Sequence, residues 1–140
     1  MFLFKAAFCR VFQAAFRLVL PVLPYREPEI VCSCEELKGI FQKERIHTPL
    51  IVTDQGIVAS GLVASLEEAL KSSGVSYAVY DKTQPNPTVS NVEEVLALYH
   101  ARDCDSLIVI GGGSSMDCAK AIGARVAQPK MSLQQMKGIQ

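Results

Sequence analysis

The spacing of apolar positions changes character along the chain. Over "MFLFKAAFCRVFQAAFRLVLPVLP", residues 1–24, a projection at about 100° per residue gathers Phe4, Phe8, Val11, Ala15, Leu18 and Val19 on one side. Lys5, Cys9, Arg10, Gln13 and Arg17 gather on the other. This predicts an amphipathic helix, stopped by Pro21 and Pro24, which cannot donate to a helical carbonyl. From Glu29 onward, short β-branched runs alternate with longer amphipathic segments. That alternation is the sequence sign of βαβ units around a parallel sheet. The expected organisation is therefore a helix and linker over residues 1–28, followed by an α/β domain over 29–140 with a Rossmann-like parallel sheet flanked by helices.

Within the second part, "EIVC" at Glu29–Cys32 reads as a short edge strand. Ser33 and Glu36 stand in S-x-x-E spacing, a capping box that opens a helix across Leu37, Ile40 and Phe41 and ends near Arg45. "PLIVTD", Pro49–Asp54, is a near-continuous apolar run of the kind buried on both faces. A helix from about Val58 to Ser73 follows, with Leu62, Leu66 and Leu70 at spacing four and Gly74 as its terminator. "VSYAVY", Val75–Tyr80, is the next strand. "DKTQPNPT", Asp81–Thr88, is a loop stiffened by the prolines on either side of Asn86. Ser90 and Glu93 read as a second capping box for a helix carrying Val92, Val95, Leu96 and Tyr99, ending around Asp103. "SLIVI" at 106–110 is a strand. A helix runs on from Ser114 with Ala119, Ile122 and Val126 toward the sheet, and Ser132 with Gln135 starts a last turn.

Between that last strand and helix stand Gly111, Gly112 and Gly113. A strand that feeds a helix through glycines leaves the first helical N–H groups unpaired and lets backbone approach a ligand closely. The helix macrodipole adds about half a positive charge there, which suits phosphate. Two common glycine motifs fail by counting. The dinucleotide fingerprint and the P-loop, both started at Gly111, need glycine where Met116 stands, and the P-loop needs lysine where Asp117 stands. The candidate ribose-binding acid is Asp54, at the end of "PLIVTD" and upstream of the glycines, whereas in an ordinary Rossmann unit it comes after them. A carboxylate there accepts from the ribose hydroxyls and repels a 2′-phosphate, which points to NAD over NADP.

Composition narrows the partners. Fourteen basic and fourteen acidic residues give a formal net charge of zero with no long block of either sign, so nucleic acid is excluded as an expected partner. Five cysteines, an odd number without a CxxC pair, read as reduced thiols, and structural zinc is not expected. Residues 1–24 hold three cations and no acid, with the cations too central for a membrane span. Three readings stand for that helix: packing on its own protein or a subunit partner, an interfacial membrane helix, or a targeting peptide.

The run "GGGSSMDCAKAIG" resembles the GGGSxxDxAK motif of the iron-containing (group III, metal-dependent) alcohol dehydrogenase family. Gly111, Gly112, Gly113, Ser114, Asp117, Ala119 and Lys120 occupy its positions. "LIVTDQG" resembles the family's first nucleotide-binding strand, and "PNPT", Pro85–Thr88, its cofactor-contacting loop. A sister branch with dehydroquinate synthase and glycerol dehydrogenase shares a GGG turn, but the continuation through Lys120 favours the alcohol dehydrogenases.

The resemblance implies an NAD pyrophosphate held by Gly112, Gly113, Ser114 and Ser115, with Asp54 on the adenosine ribose and Asn86 and Asp117 facing the cofactor. It implies hydride transfer between a small alcohol or aldehyde and NAD, assisted by a divalent metal, iron or zinc, held by an aspartate and histidines of a helical second domain. No residue here matches that metal set, so the sequence is read as the N-terminal nucleotide-binding portion of such an enzyme. On this reading the helical metal-binding domain is missing, as in a fragment or truncated product, and the chain alone is inactive. The alternatives are a non-catalytic nucleotide-binding module and a membrane-associated interaction module. A homo-oligomer and weak membrane-surface contact through residues 1–24 are the further partners entertained. The expected location is cytoplasmic, with organelle targeting or peripheral membrane attachment as alternatives.

Overall fold

The computed structural model describes residues 2–19 and 29–136. The chain divides into two compact units, Met1–Ile30 and Val31–Gln140. In the first, α1 (Phe2–Val19) is the expected amphipathic helix. Its expected termination at Pro21 and Pro24 lies outside the described residues.

The second unit runs α2 (Cys34–Glu44), β1 (Pro49–Val52), α3 (Gln55–Ala59), α4 (Leu62–Ser72), β2 (Ala78–Tyr80), α5 (Val89–Ala101), β3 (Ser106–Val109) and α6 (Gly113–Ala127). It is an α/β fold built on an open, parallel three-stranded sheet in the order β2-β1-β3. β1 is central, so its residues are buried on both faces, as its unbroken apolar run foretells. Leu50 and Val52 pack with Val95 and Leu96 of α5 and Cys118 and Ile122 of α6. Ile51 points the other way, into Phe41 of α2 and Val63, Leu66 and Leu70 of α4. The period-two alternation of a strand thus divides one apolar run between two helical layers. Ala119 and Ile122 are buried as expected, and Val126 packs at the edge of the same cluster.

Several elements depart from the sequence reading, each for an identifiable reason in hydrogen bonding or backbone conformation. Glu29–Cys32 forms no strand. The Cys32 N–H donates to Glu36 Oε2 at 3.1 Å while Ser33 Oγ accepts from the Glu36 N–H, so this segment is the lead-in to α2. The helix expected over 58–73 is two helices. Asp54 caps α3 by accepting from the Ile57 N–H at 3.0 Å, and Gly61, left-handed at φ 82°, breaks α3 from α4.

β2 starts only at Ala78, because Val75 is used upstream: its N–H bonds Leu70 O at 3.1 Å while the Gly74 N–H bonds Lys71 O, closing α4. The capping box of α5 is Thr88 with Asn91, not Ser90 with Glu93. Asn91 Oδ1 accepts from the Thr88 N–H, and Glu93 instead binds Arg125 of α6 at 3.1 Å. That helix ends at Ala101, and Asp103 turns the chain at φ 48°. Ser132 and Gln135 do start the expected last turn, where the Ser132 N–H donates to Gln135 Oε1 and the Gln135 N–H to Ser132 Oγ.

The starts of β1 and β3 are stapled by Asp105, whose carboxylate accepts from the His47 N–H (2.6 Å), the Thr48 N–H (3.2 Å) and the Ser106 hydroxyl (3.1 Å). Burial works against ionisation of Asp105, but these donors outweigh it and hold its carboxyl below the ordinary range. A depressed carboxyl stabilises the fold above its unfolded pKa of about 4 and loses that contribution as pH falls through the folded value. Urea melts should therefore show wild type more stable than Asp105→Asn near neutrality, with the gap narrowing below about pH 4. A gap that stays constant down to about pH 2 would show that the staple does not act through its charge.

Candidate functional site

The strand order itself indicates where a ligand fits. β1 leads to β2 on one side of the sheet and the chain then crosses to β3 on the other, so the loops beyond the strand ends part around β1. Ligands of open parallel sheets bind outside the C-terminal ends of strands at such a switch point. A cleft of about 340 Å³ lies there, lined by the three segments that follow the three strands: Asp54–Gly56, Thr83–Pro85 and Gly112–Ser115.

Each wall is fixed by its own local chemistry. After β1, Asp54 is held as the cap of α3 through Oδ1. After β2, the backbone stays tied to the sheet edge, with the Thr53 N–H on Tyr80 O (2.8 Å) and the Thr83 N–H on Thr53 O (3.2 Å). After β3, the Ile110 N–H bonds Val52 O at 3.1 Å, and the chain turns through Gly111 into α6.

Gly111 has φ 152°, a conformation side chains rarely adopt. A Cβ on it would lie 2.5 Å from Ser115 Oγ and 3.4 Å from Asp54 Oδ2. The same figures place Asp54, Gly111 and Ser115 side by side, joining the ends of β1 and β3. At Gly112 and Gly113 a Cβ would meet nothing within 4 Å. Their bareness opens on the cleft and relieves no internal crowding.

α6, like α4, begins without a side-chain cap, whereas Ser33, Asp54 and Thr88 cap α2, α3 and α5; of the two uncapped starts, only that of α6 lines the cleft. Its first-turn N–H groups therefore keep their donor capacity for something outside the helix. Ser115, 1% exposed, carries a hydroxyl with no hydrogen-bond partner, and Thr83 on the adjacent wall carries another. Buried polar atoms of this kind normally have partners, so the cleft holds unmet hydrogen-bonding capacity.

The cleft brings together Asp54, Gly112, Gly113, Ser114 and Ser115 of the residues singled out by sequence. Asn86 and Asp117 stand outside its lining. Asn86 is exposed at φ 55° between its prolines, and Asp117 is exposed and pairs with Lys120 at 3.7 Å along the helix. Sequence reasoning passed over Thr83 and Gln84 as lining residues, and no motif marks them, while Gln55 and Gly56 close the "LIVTDQG" run without having been singled out. It also passed over Gly111 as the contact between strand ends, although that glycine was already conspicuous. Burial pushes the Cys118 thiol up, so it is a packed, unreactive group.

A profile of the iron-containing alcohol dehydrogenases matches residues 30–139. The chain belongs to the iron-containing alcohol dehydrogenase family. Alcohol dehydrogenase 4 of Schizosaccharomyces pombe is 43% identical over 91 residues, which is 65% of this chain and 21% of that protein. Among solved structures, an alcohol dehydrogenase from Oenococcus oeni superposes with a TM-score of 0.68 at 33% identity, covering 76% of this chain and 28% of the other. Sulfoacetaldehyde reductase from Bifidobacterium kashiwanohense, solved in complex with NAD+, superposes at 0.64 and 27% identity over 75% of this chain and 27% of its own. The chain thus spans about a fifth to a quarter of the curated relatives it matches. Among the described residues no three histidine, cysteine or acidic side chains converge as a metal site.

Proposed function

We propose that this chain is the NAD-binding part of an iron-containing alcohol dehydrogenase, with the cleft at the start of α6 taking the cofactor's pyrophosphate. The observation that carries this reading is the uncapped N-terminus of α6 opening beside the partnerless Ser115 hydroxyl, with no Cβ at Gly112 or Gly113 to stand in the cleft. The first-turn N–H groups at Gly113, Ser114 and Ser115 would donate to phosphate oxygens, reinforced by the helix dipole. Asp54 Oδ1 is engaged by the Ile57 N–H, which leaves Oδ2 as the acceptor for an adenosine ribose hydroxyl. Asn86 and Asp117 are proposed to meet the cofactor from the rim. Bound NAD supplies the hydride acceptor for oxidation of a small alcohol, or as NADH the donor for reduction of an aldehyde. The chain's own residues hold and orient the nucleotide. No chemical step is assigned to a metal within this segment, and the 140-residue chain by itself is expected to bind NADH without turning over alcohol.

The test of the ribose assignment is a fluorescence titration of NADH and NADPH against wild type and Asp54→Asn. Asparagine caps a helix as well as aspartate does, so α3 keeps its start while the charge disappears. The wild-type preference for NADH should fall roughly tenfold, the effect of removing a charge beside a 2′-phosphate near the surface. An unchanged preference would remove Asp54 from the ribose site, and absence of any NADH binding by wild type would remove the nucleotide reading itself.

A further inference from the structure

The amphipathic α1 belongs to the first of the two compact units. We infer that it lies along an anionic lipid surface, apolar face down. The helix is 18 residues long, about 27 Å, but Arg10 and Arg17 fall within it, and no described helix is long and apolar enough to cross a membrane. Every described side chain from Arg10 to Leu18 is exposed. Val11 is 70% exposed, Leu18 80% and Phe16 49%, a concentration of accessible large apolar side chains that folding of a water-facing helix does not require. Phe12 stacks on Phe16 with centroids 6.1 Å apart and planes 16° apart, an aromatic pair at the flank where the apolar side meets the Lys5 edge of the polar one.

Charge chooses the occupant. Lys5, Arg10, Arg17 and Arg26 precede the first acid of the chain, Glu27. A second copy packed on the apolar side would cover it but leave Arg10 and Arg17, on the opposite side, with no anion to answer them. An anionic headgroup layer answers all of them, while the side chains opposite enter the acyl boundary. Arg10 and Arg17 lie two turns apart on the polar side, placing two guanidinium groups about 10 Å apart to bind separate phosphates.

The experiment is co-sedimentation of the full chain with vesicles of phosphatidylcholine alone and of phosphatidylcholine with an equal part of phosphatidylglycerol. The chain should pellet with the anionic vesicles and stay in solution with the neutral ones. Arg10→Gln with Arg17→Gln should lower anionic partitioning roughly thirtyfold, and raising salt to about 1 M should mimic that loss. Phe16→Ser should weaken it roughly tenfold. Thermal melting of the α/β unit and NADH titration serve as readouts that none of these changes should move. Equal partitioning onto both vesicles, none onto either, or a wild-type dimer that Phe16→Ser converts to monomer would each overturn the inference.

Discussion

A chain carrying Gly113→Asp and Ser114→Asp is expected to bind NADH at least roughly a hundredfold more weakly than wild type, while melting no earlier. The two effects separate because they have different origins. Gly113 and Ser114 are the first two residues of α6, where a carboxylate is favoured by the helix dipole by about 0.3–1 kcal/mol, so the fold should hold or gain. A Cβ at Gly113 meets nothing within 4 Å, so the new side chain enters open cleft without crowding its neighbours. There it places charge where phosphate oxygens are proposed to sit. Like charges about 4 Å apart near a protein surface repel by about 4 kcal/mol, before counting the second carboxylate. Fluorescence titration beside a thermal melt reads both quantities. Wild-type affinity in the double variant would show that the pyrophosphate does not dock on this helix.

The larger effect on stability is expected at Gly111. Gly111→Ala forces a Cβ to within 2.5 Å of Ser115 Oγ and 2.9 Å of Ser115 Cβ, on a backbone with φ 152°. Strain at such a dihedral and overpacking each cost about 1–3 kcal/mol, so a loss of about 3 kcal/mol in urea unfolding is expected. Gly112→Ala is the comparison. Gly112 has an ordinary φ of −84° and no neighbour within 4 Å, so stability should stay within about 0.5 kcal/mol of wild type. NADH affinity should nevertheless drop, since the added methyl group stands where the ligand approaches backbone. If both alanines cost the same stability, the three glycines would share one role, and the division between a fold glycine and ligand glycines would be wrong.

The parts of this fold legible in the sequence are those decided by near neighbours. The βαβ alternation, the buried character of "PLIV", the Ser33 cap and the Gly74 terminator depend on contacts within about four residues, and each stands in the structure. The misread places are those where two local solutions compete. Both Ser90 with Glu93 and Thr88 with Asn91 satisfy cap spacing. Thr88 enters α5 in extended backbone directly after Pro87, and Glu93 is drawn off by Arg125, 32 residues away. A partner that distant in the chain leaves no local signal at Glu93. Asp54 was legible as an acid at a strand end but not as the cap of α3, because the helix it starts is only five residues long.

By itself, then, the sequence determined that a parallel α/β unit presents a glycine turn and an acid of alcohol dehydrogenase type, since backbone freedom, apolar period and motif spacing are properties of contiguous residues. Only the tertiary structure decided what each of those residues touches. The order β2-β1-β3 brings the ends of β1 and β3 together, so that Asp54 and Ser115 meet across Gly111. It also sets Thr83 into the cleft from the Asp81–Thr88 loop, which has no glycine to announce it. The three adjacent glycines look equivalent in the chain. They differ in the fold because a close approach depends on what packs against each Cα, which chain order does not specify.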